Sequence, residues 1–165
     1  MDRRLQLPVC AIGVLLASAC SSPSGPASYQ KPAADTATKA AAPSGPAGIA
    51  TAQTPLGTDL TDSNGRAVYL FVADKGVTST CTGPCTQEWP PLTTTGSTTA
   101  GPGANSALLS TSPRPDGTVQ VTYNGHPLYY YDDDKGPGTT AGQGVTSFGA
   151  NWYLLNPAGA KIDKD

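Results

Sequence analysis

The chain has 165 residues, a formal net charge of −2 and 13% charged residues. It has room for one domain or two very small ones, and it offers no basic face for nucleic acid or anionic lipid. With Gly 19, Pro 16 and 7% aromatics, the composition is loop-rich and leaves little material for a large core.

Taken in chain order, MDRRLQLPVCAIGVLLASAC opens with Arg3 and Arg4, continues with an apolar run from Leu5 to Leu16, and ends on small residues before Cys20. Those are the three parts of an export signal, and a run of about 12 residues is too short to span a bilayer as a helix. Residues 1–19 are therefore expected to be a signal peptide. The cysteine directly after Leu-Ala-Ser-Ala resembles a lipobox, which implies acylation of the Cys20 sulfur and a lipid anchor in the cell membrane on its extracytoplasmic side. Ala17 stands where leucine is commonest in that motif. With Cys10 removed and Cys20 lipidated, Cys81 and Cys85 are the remaining pair, as suits an oxidising compartment.

Residues 20–54 read as a disordered linker. Only Tyr29 and Ile49 could anchor a core there, and SGPA occurs twice, at Ser24 and Ser44. Such a stretch cannot offset its ordering entropy, and as a flexible coil it would span roughly 30 Å.

The folded domain is expected over residues 55–165, with an internal repeat. NGRAVYLFVADKG (64–76) and NGHPLYYYDDDKG (124–136) share Asn-Gly, Tyr69/Tyr129 and Asp-Lys-Gly at a constant offset of 60, with Phe71 opposite Tyr131. The copies are placed at about 56–92 and 108–158, and Trp89 corresponds to Trp152 once a small insertion is allowed. Asn-Gly between two β-rich runs predicts a hairpin in each copy. In the second copy a two-residue loop puts Tyr123 opposite His126, Val121 opposite Leu128 and Val119 opposite Tyr130. RPDG (114–117) is a further turn, so ALLSTS, TVQVTY and HPLYYY form a three-strand meander. AVYLFV, apolar on both faces, belongs in the middle of a sheet. PCTQEW fits one helical turn with Pro84 at its start, and NWYLL fits a last strand. The fold class is thus mainly β: two diverged repeats of antiparallel hairpins with at most short helical turns.

Y-x-[FWY]-x-x-D occurs as Tyr69, Phe71, Asp74 and again as Tyr129, Tyr131, Asp134. With CTGPCTQEWPPL, QVTYNGHPLYYY and GQGVTSFGANWYLL, this resembles the bacterial secreted-repeat lipoproteins over about residues 56–160. The resemblance implies an exported, usually lipid-anchored protein with tandem copies and no settled activity. Some relatives are linked loosely to alkane use.

Packing and turn chemistry alone account for the motif: Tyr and the next aromatic share a strand face, and Asp accepts backbone N–H bonds. The rival reading is an aromatic groove for an apolar or glycan ligand, walled by Tyr123, Tyr129, Tyr130, Tyr131, Trp152 and Tyr153. The run Asp132-Asp133-Asp134 reads as a solvated loop. His126 is the one histidine and Glu88 the one glutamate, which gives acid–base or nucleophilic catalysis little to work with; no catalysis and no cofactor are expected. CTGPC admits a disulfide, a copper site completed by His126, or redox exchange. In an exported chain the disulfide is favoured, and a five-residue loop gives about 2 kcal/mol. The expected role is binding or structural interaction at the cell envelope, with a partner or ligand the residues do not name.

Overall fold

The computed structural model describes residues 45–163. The expected signal peptide, Cys20 and most of the expected linker lie outside the described residues. Within them the chain is mainly β, in three small three-stranded sheets.

The first sheet corrects the sequence expectation. Strand β1 (Gly48–Thr54), assigned to the linker above, pairs antiparallel with β2 (Gly57–Asp62) over six residue pairs, from Ile49–Asp62 to Thr54–Gly57. The fold therefore begins before residue 55. GIATAQT carries one large apolar side chain, so its pattern is weak. What holds it is the backbone ladder together with Ala47 and Ile49, both buried in the core. Hydrogen-bonded ladders are blind to side chains, which is why composition missed them.

Strand β3 (Tyr69–Phe71) is buried along its length, as its two apolar faces require. It pairs with the last strand, β9 (Ala150–Leu154), while Tyr69 exchanges two backbone hydrogen bonds with Tyr129 on its other side, at 2.9 and 3.0 Å. Period-2 alternation then splits the core. Val68 and Leu70 point into a mostly aliphatic cluster with Ile49, Leu60, Leu92, Val121 and Leu128, which also takes in Tyr123 and Tyr130. Ala67, Tyr69 and Phe71 point into an aromatic cluster with Trp89, Tyr129 and Trp152.

Against the aromatic cluster lies α1 (Cys85–Glu88), one turn started by Pro84 and ended at Trp89, as the sequence predicts. A two-residue strand, β4 (Thr99–Ala100), lies parallel to β1. The expected meander is present as β5 (Leu109–Pro113), β6 (Val119–Tyr123) and β7 (His126–Pro127), in that order. Strand β8 (Thr146–Ser147) makes a hairpin with β9.

The two Asn-Gly turns differ. Asn124 and Gly125 have φ of 48° and 80° and form the two-residue loop that sets Tyr123 opposite His126. In the first copy Asp62 N–H instead donates to Arg66, closing a three-residue loop in which Gly65 alone is left-handed. Asp62 Oδ1 there accepts from Asn64 N at 2.8 Å and Arg66 N at 2.9 Å.

The predicted pairing of Val119 with Tyr130 is not made. Leu128 N still bonds Val121 O, but beyond that point the strand after Trp89 wedges between the two. Val121 N donates to Leu92 O at 2.8 Å and Thr94 N to Val119 O at 2.9 Å, while Tyr130 N turns to Pro90 O at 2.8 Å. The same wedge exists in the first copy, where Leu60 N donates to Leu155 O at 2.9 Å. Each copy's hairpin is thus completed by the other copy's last strand.

Candidate functional site

The motif residues meet at the join between the copies. Tyr69 donates its phenol hydrogen to Asp134 Oδ2 at 2.6 Å, and Tyr129 donates to Asp74 Oδ2 at 2.7 Å. The tyrosine of each copy is therefore matched to the aspartate of the other. Each carboxylate uses its remaining oxygen to fix its own loop: Asp74 Oδ1 accepts from Thr80 N at 2.7 Å, and Asp134 Oδ1 from Ala141 N at 2.8 Å. Burial pushes both carboxyl groups above the usual range, opposed in part by these hydrogen bonds. Burial, with the adjoining carboxylate, likewise drives both phenols far above theirs, so they stay protonated donors. Asp134 is buried while Asp132 and Asp133 are exposed, so only two of that run are the solvated loop expected.

The aromatic position of the motif builds the centre. Phe71 stacks on Trp152 (centroids 4.0 Å apart, planes at 11°), Trp152 on Trp89 (4.0 Å, 3°), and Trp89 on Tyr131 (4.3 Å, 27°). The column is symmetric in sequence: Phe71 and Tyr131 are the outer rings, and the two tryptophans meet in the middle. Tyr69 stands edge-on to Trp89 at 5.5 Å and Tyr129 edge-on to Trp152 at 5.1 Å. Offset stacks and T-shaped contacts are the favourable arrangements for such rings.

These placements overturn the aromatic groove. Tyr123, Tyr129, Tyr130 and Trp152 are all buried and cannot wall an open site; only Tyr131 and Tyr153 are partly exposed. Tyr123 Oη donates to Pro157 O at 2.9 Å, and Tyr130 Oη to Asp62 Oδ2 at 3.0 Å. Their polar tips serve the fold.

Cys81 and Cys85 form a disulfide with Cα atoms 5.3 Å apart, buried against the aromatic cluster. With both sulfurs bonded to each other, the copper set of Cys81, Cys85 and His126 has lost two of its ligands. Among the described residues no group of three or more His, Cys, Asp or Glu side chains gathers in a way that could hold a metal ion.

Arg114 was missed in the sequence, where RPDG reads only as a turn. It is buried, and its guanidinium donates to Gln120 Oε1 at 2.6 Å, Ser79 Oγ at 2.8 Å and the Cys81 carbonyl at 2.8 Å. It thus braces the disulfide loop against β6. Nothing in a turn arginine signals burial.

His126 lies instead at a surface groove of about 210 Å³, lined also by Leu70, Phe71, Val72, Asp74 and Lys161. No helix among the described residues is long and apolar enough to cross a membrane. No curated protein and no solved structure matches the chain. The profile of one family, described as a secreted repeat of unknown function, matches residues 50–93 and 110–156, the two interlocked copies whose tyrosines and aspartates have just been paired. The chain belongs to that family of secreted repeats.

Proposed function

We propose that the protein is a non-catalytic, lipid-anchored module of the cell envelope, held outside the membrane by Cys20 and acting through binding or structural contact. The observation that carries this reading is the reciprocal tyrosine–aspartate lock. The side chains that would have to do acid–base work, Asp74 and Asp134, are spent on joining the two copies. The buried disulfide fits an oxidising compartment, and the Leu-Ala-Ser-Ala-Cys stretch supports the anchor.

Contact with a small ligand then falls to the His126 groove. His126 is the only histidine, so its imidazole gives a single, unambiguous magnetic-resonance reporter. A panel of alkanes, glycans and short peptides added to the folded domain is expected to shift that signal for one class and leave the others silent. Silence across the panel refutes the groove. For the anchor, metabolic labelling with a fatty-acid analogue is expected to mark the protein and to be lost in Cys20→Ala; label that persists in the variant refutes lipidation at Cys20.

A further inference from the structure

The four-ring column is more than efficient packing, because its two ends differ. Phe71 closes one end and is buried, whereas Tyr131 at the other end is partly exposed. Phenylalanine is hard to oxidise and tyrosine is not, so the stack has one redox-accessible mouth. Behind that mouth sit two indoles in face-to-face contact, Trp89 and Trp152, at 4.0 Å. Trp89 Nε1 donates to Ser147 Oγ at 2.9 Å and to the Glu88 carboxylate at 3.1 Å. A negative group there favours a positive charge on the ring. Edge-on to the indoles stand Tyr69 and Tyr129, each with a short hydrogen bond to a carboxylate, buried Asp134 for Tyr69 and half-buried Asp74 for Tyr129. A phenol so paired loses an electron more readily, because its proton has somewhere to go. Burial adds to this by raising the proton affinity of Asp74 and Asp134. No free thiol and no methionine occurs among the described residues to act as a competing sink.

We propose that this column is a relay and store for single oxidising equivalents, loaded through Tyr131 and held as a neutral tyrosyl radical at Tyr69 or Tyr129. A one-electron oxidant, such as a high-potential metal centre, meets the Tyr131 end and takes up one electron from Trp89. The resulting indole radical cation is shared with Trp152 and is then filled by one electron from Tyr69 or Tyr129. The phenolic proton crosses to Asp134 or Asp74, leaving a phenoxyl radical beside a protonated carboxyl. A one-electron reductant returns the electron, and the proton crosses back. Only an O–H bond breaks and re-forms. This inference depends on neither the lipid anchor nor a groove ligand.

The test is flash photolysis of the folded domain, with its disulfide intact, using photogenerated ruthenium(III) tris-bipyridyl as the oxidant. In the unmodified protein an indole radical is expected to form and decay into a tyrosyl signal, visible in paramagnetic resonance, with the second step slowed in D₂O. In the double variant Tyr69→Phe, Tyr129→Phe the indole radical is expected to outlive that of the parent several-fold and the tyrosyl signal to vanish. An unchanged tyrosyl signal in the variant would place the radical on another tyrosine and overturn the assignment. Absence of the indole transient, or of the D₂O effect in the unmodified protein, overturns it without any variant having to fold.

Discussion

Asp59, on β2, is buried, and neither of its carboxylate oxygens has a hydrogen-bond partner among the described residues. Its counterpart in the second copy is Gln120, whose amide oxygen accepts from Arg114 and whose amide nitrogen donates to the Leu128 carbonyl. One copy thus uses a neutral amide where the other buries an acid, and burial raises the pKa of Asp59. Asp74 and Asp134 are shifted the same way. A carboxyl with a raised folded value holds its proton longer when folded, so its stabilisation is complete below the unfolded value of about 3.9 and is lost as pH rises through the folded value. Urea midpoints are therefore expected to fall as pH rises from about 4 toward neutrality. Asp59→Asn is expected to flatten that slope and to raise stability at neutral pH by about 1–3 kcal/mol; an unchanged slope would show that Asp59 carries its charge at no cost. Gly142 is the opposite case, a site where nothing can be added. A methyl there would meet Trp89 Cη2 and Tyr69 Cζ, each at 2.9 Å, and both rings are pinned by their stacks and hydrogen bonds. Gly142→Ala is expected to cost about 1–3 kcal/mol in chemical denaturation.

Among elements, the paired tyrosine–aspartate contacts decide how firmly the copies grip. Tyr69→Phe leaves buried Asp134 short of a donor and is expected to cost about 1–3 kcal/mol, and Tyr129→Phe, whose partner Asp74 is half-buried, is expected to cost less. A double-mutant cycle of Tyr69→Phe with Asp134→Asn should recover part of that loss, whereas Tyr69→Phe with Asp74→Asn should be close to additive. If the coupling runs within a copy instead, the cross-copy lock is refuted. Replacing Cys81 and Cys85 by alanine is expected to cost about 2 kcal/mol in thermal or urea unfolding, the chain-entropy value for so short a loop. At this scale much was legible in the sequence. Asn124-Gly125, Pro84 and the period-2 runs announce their elements through local conformational preference. Strand β1 did not announce itself, because its pairing with β2 is carried by backbone. The partner of each motif aspartate was also hidden, because sequence reveals that a Tyr and an Asp lie near a turn and not which copy's tyrosine reaches which carboxyl.

For the whole molecule, the wedged strands make the repeat boundary in sequence different from the folding unit in space. Leu92 completes the hairpin of the second copy and Leu155 that of the first. A fragment of residues 45–100 and one of residues 101–163 are each expected to lack cooperative unfolding alone and to regain it when mixed, as read by circular dichroism. A single fragment that melts cooperatively as a monomer would contradict the interlock. The resemblance to tandem secreted repeats correctly suggested duplication, and the constant offset of 60 located it. Neither could show the crossing, which depends on which of two equivalent hairpins the returning strand enters.

That crossing gives the lineage a counting rule. A lone copy is half a fold: it owns a hairpin with an open slot and a strand with nowhere to lie, so it can close only against a twin. A chain carrying one copy alone is therefore expected to fold as a symmetric pair. Within this chain the two halves differ, and only one of them carries the disulfide. Longer arrays of this unit should accordingly grow by twos, because each odd copy reopens a slot that some other chain must fill.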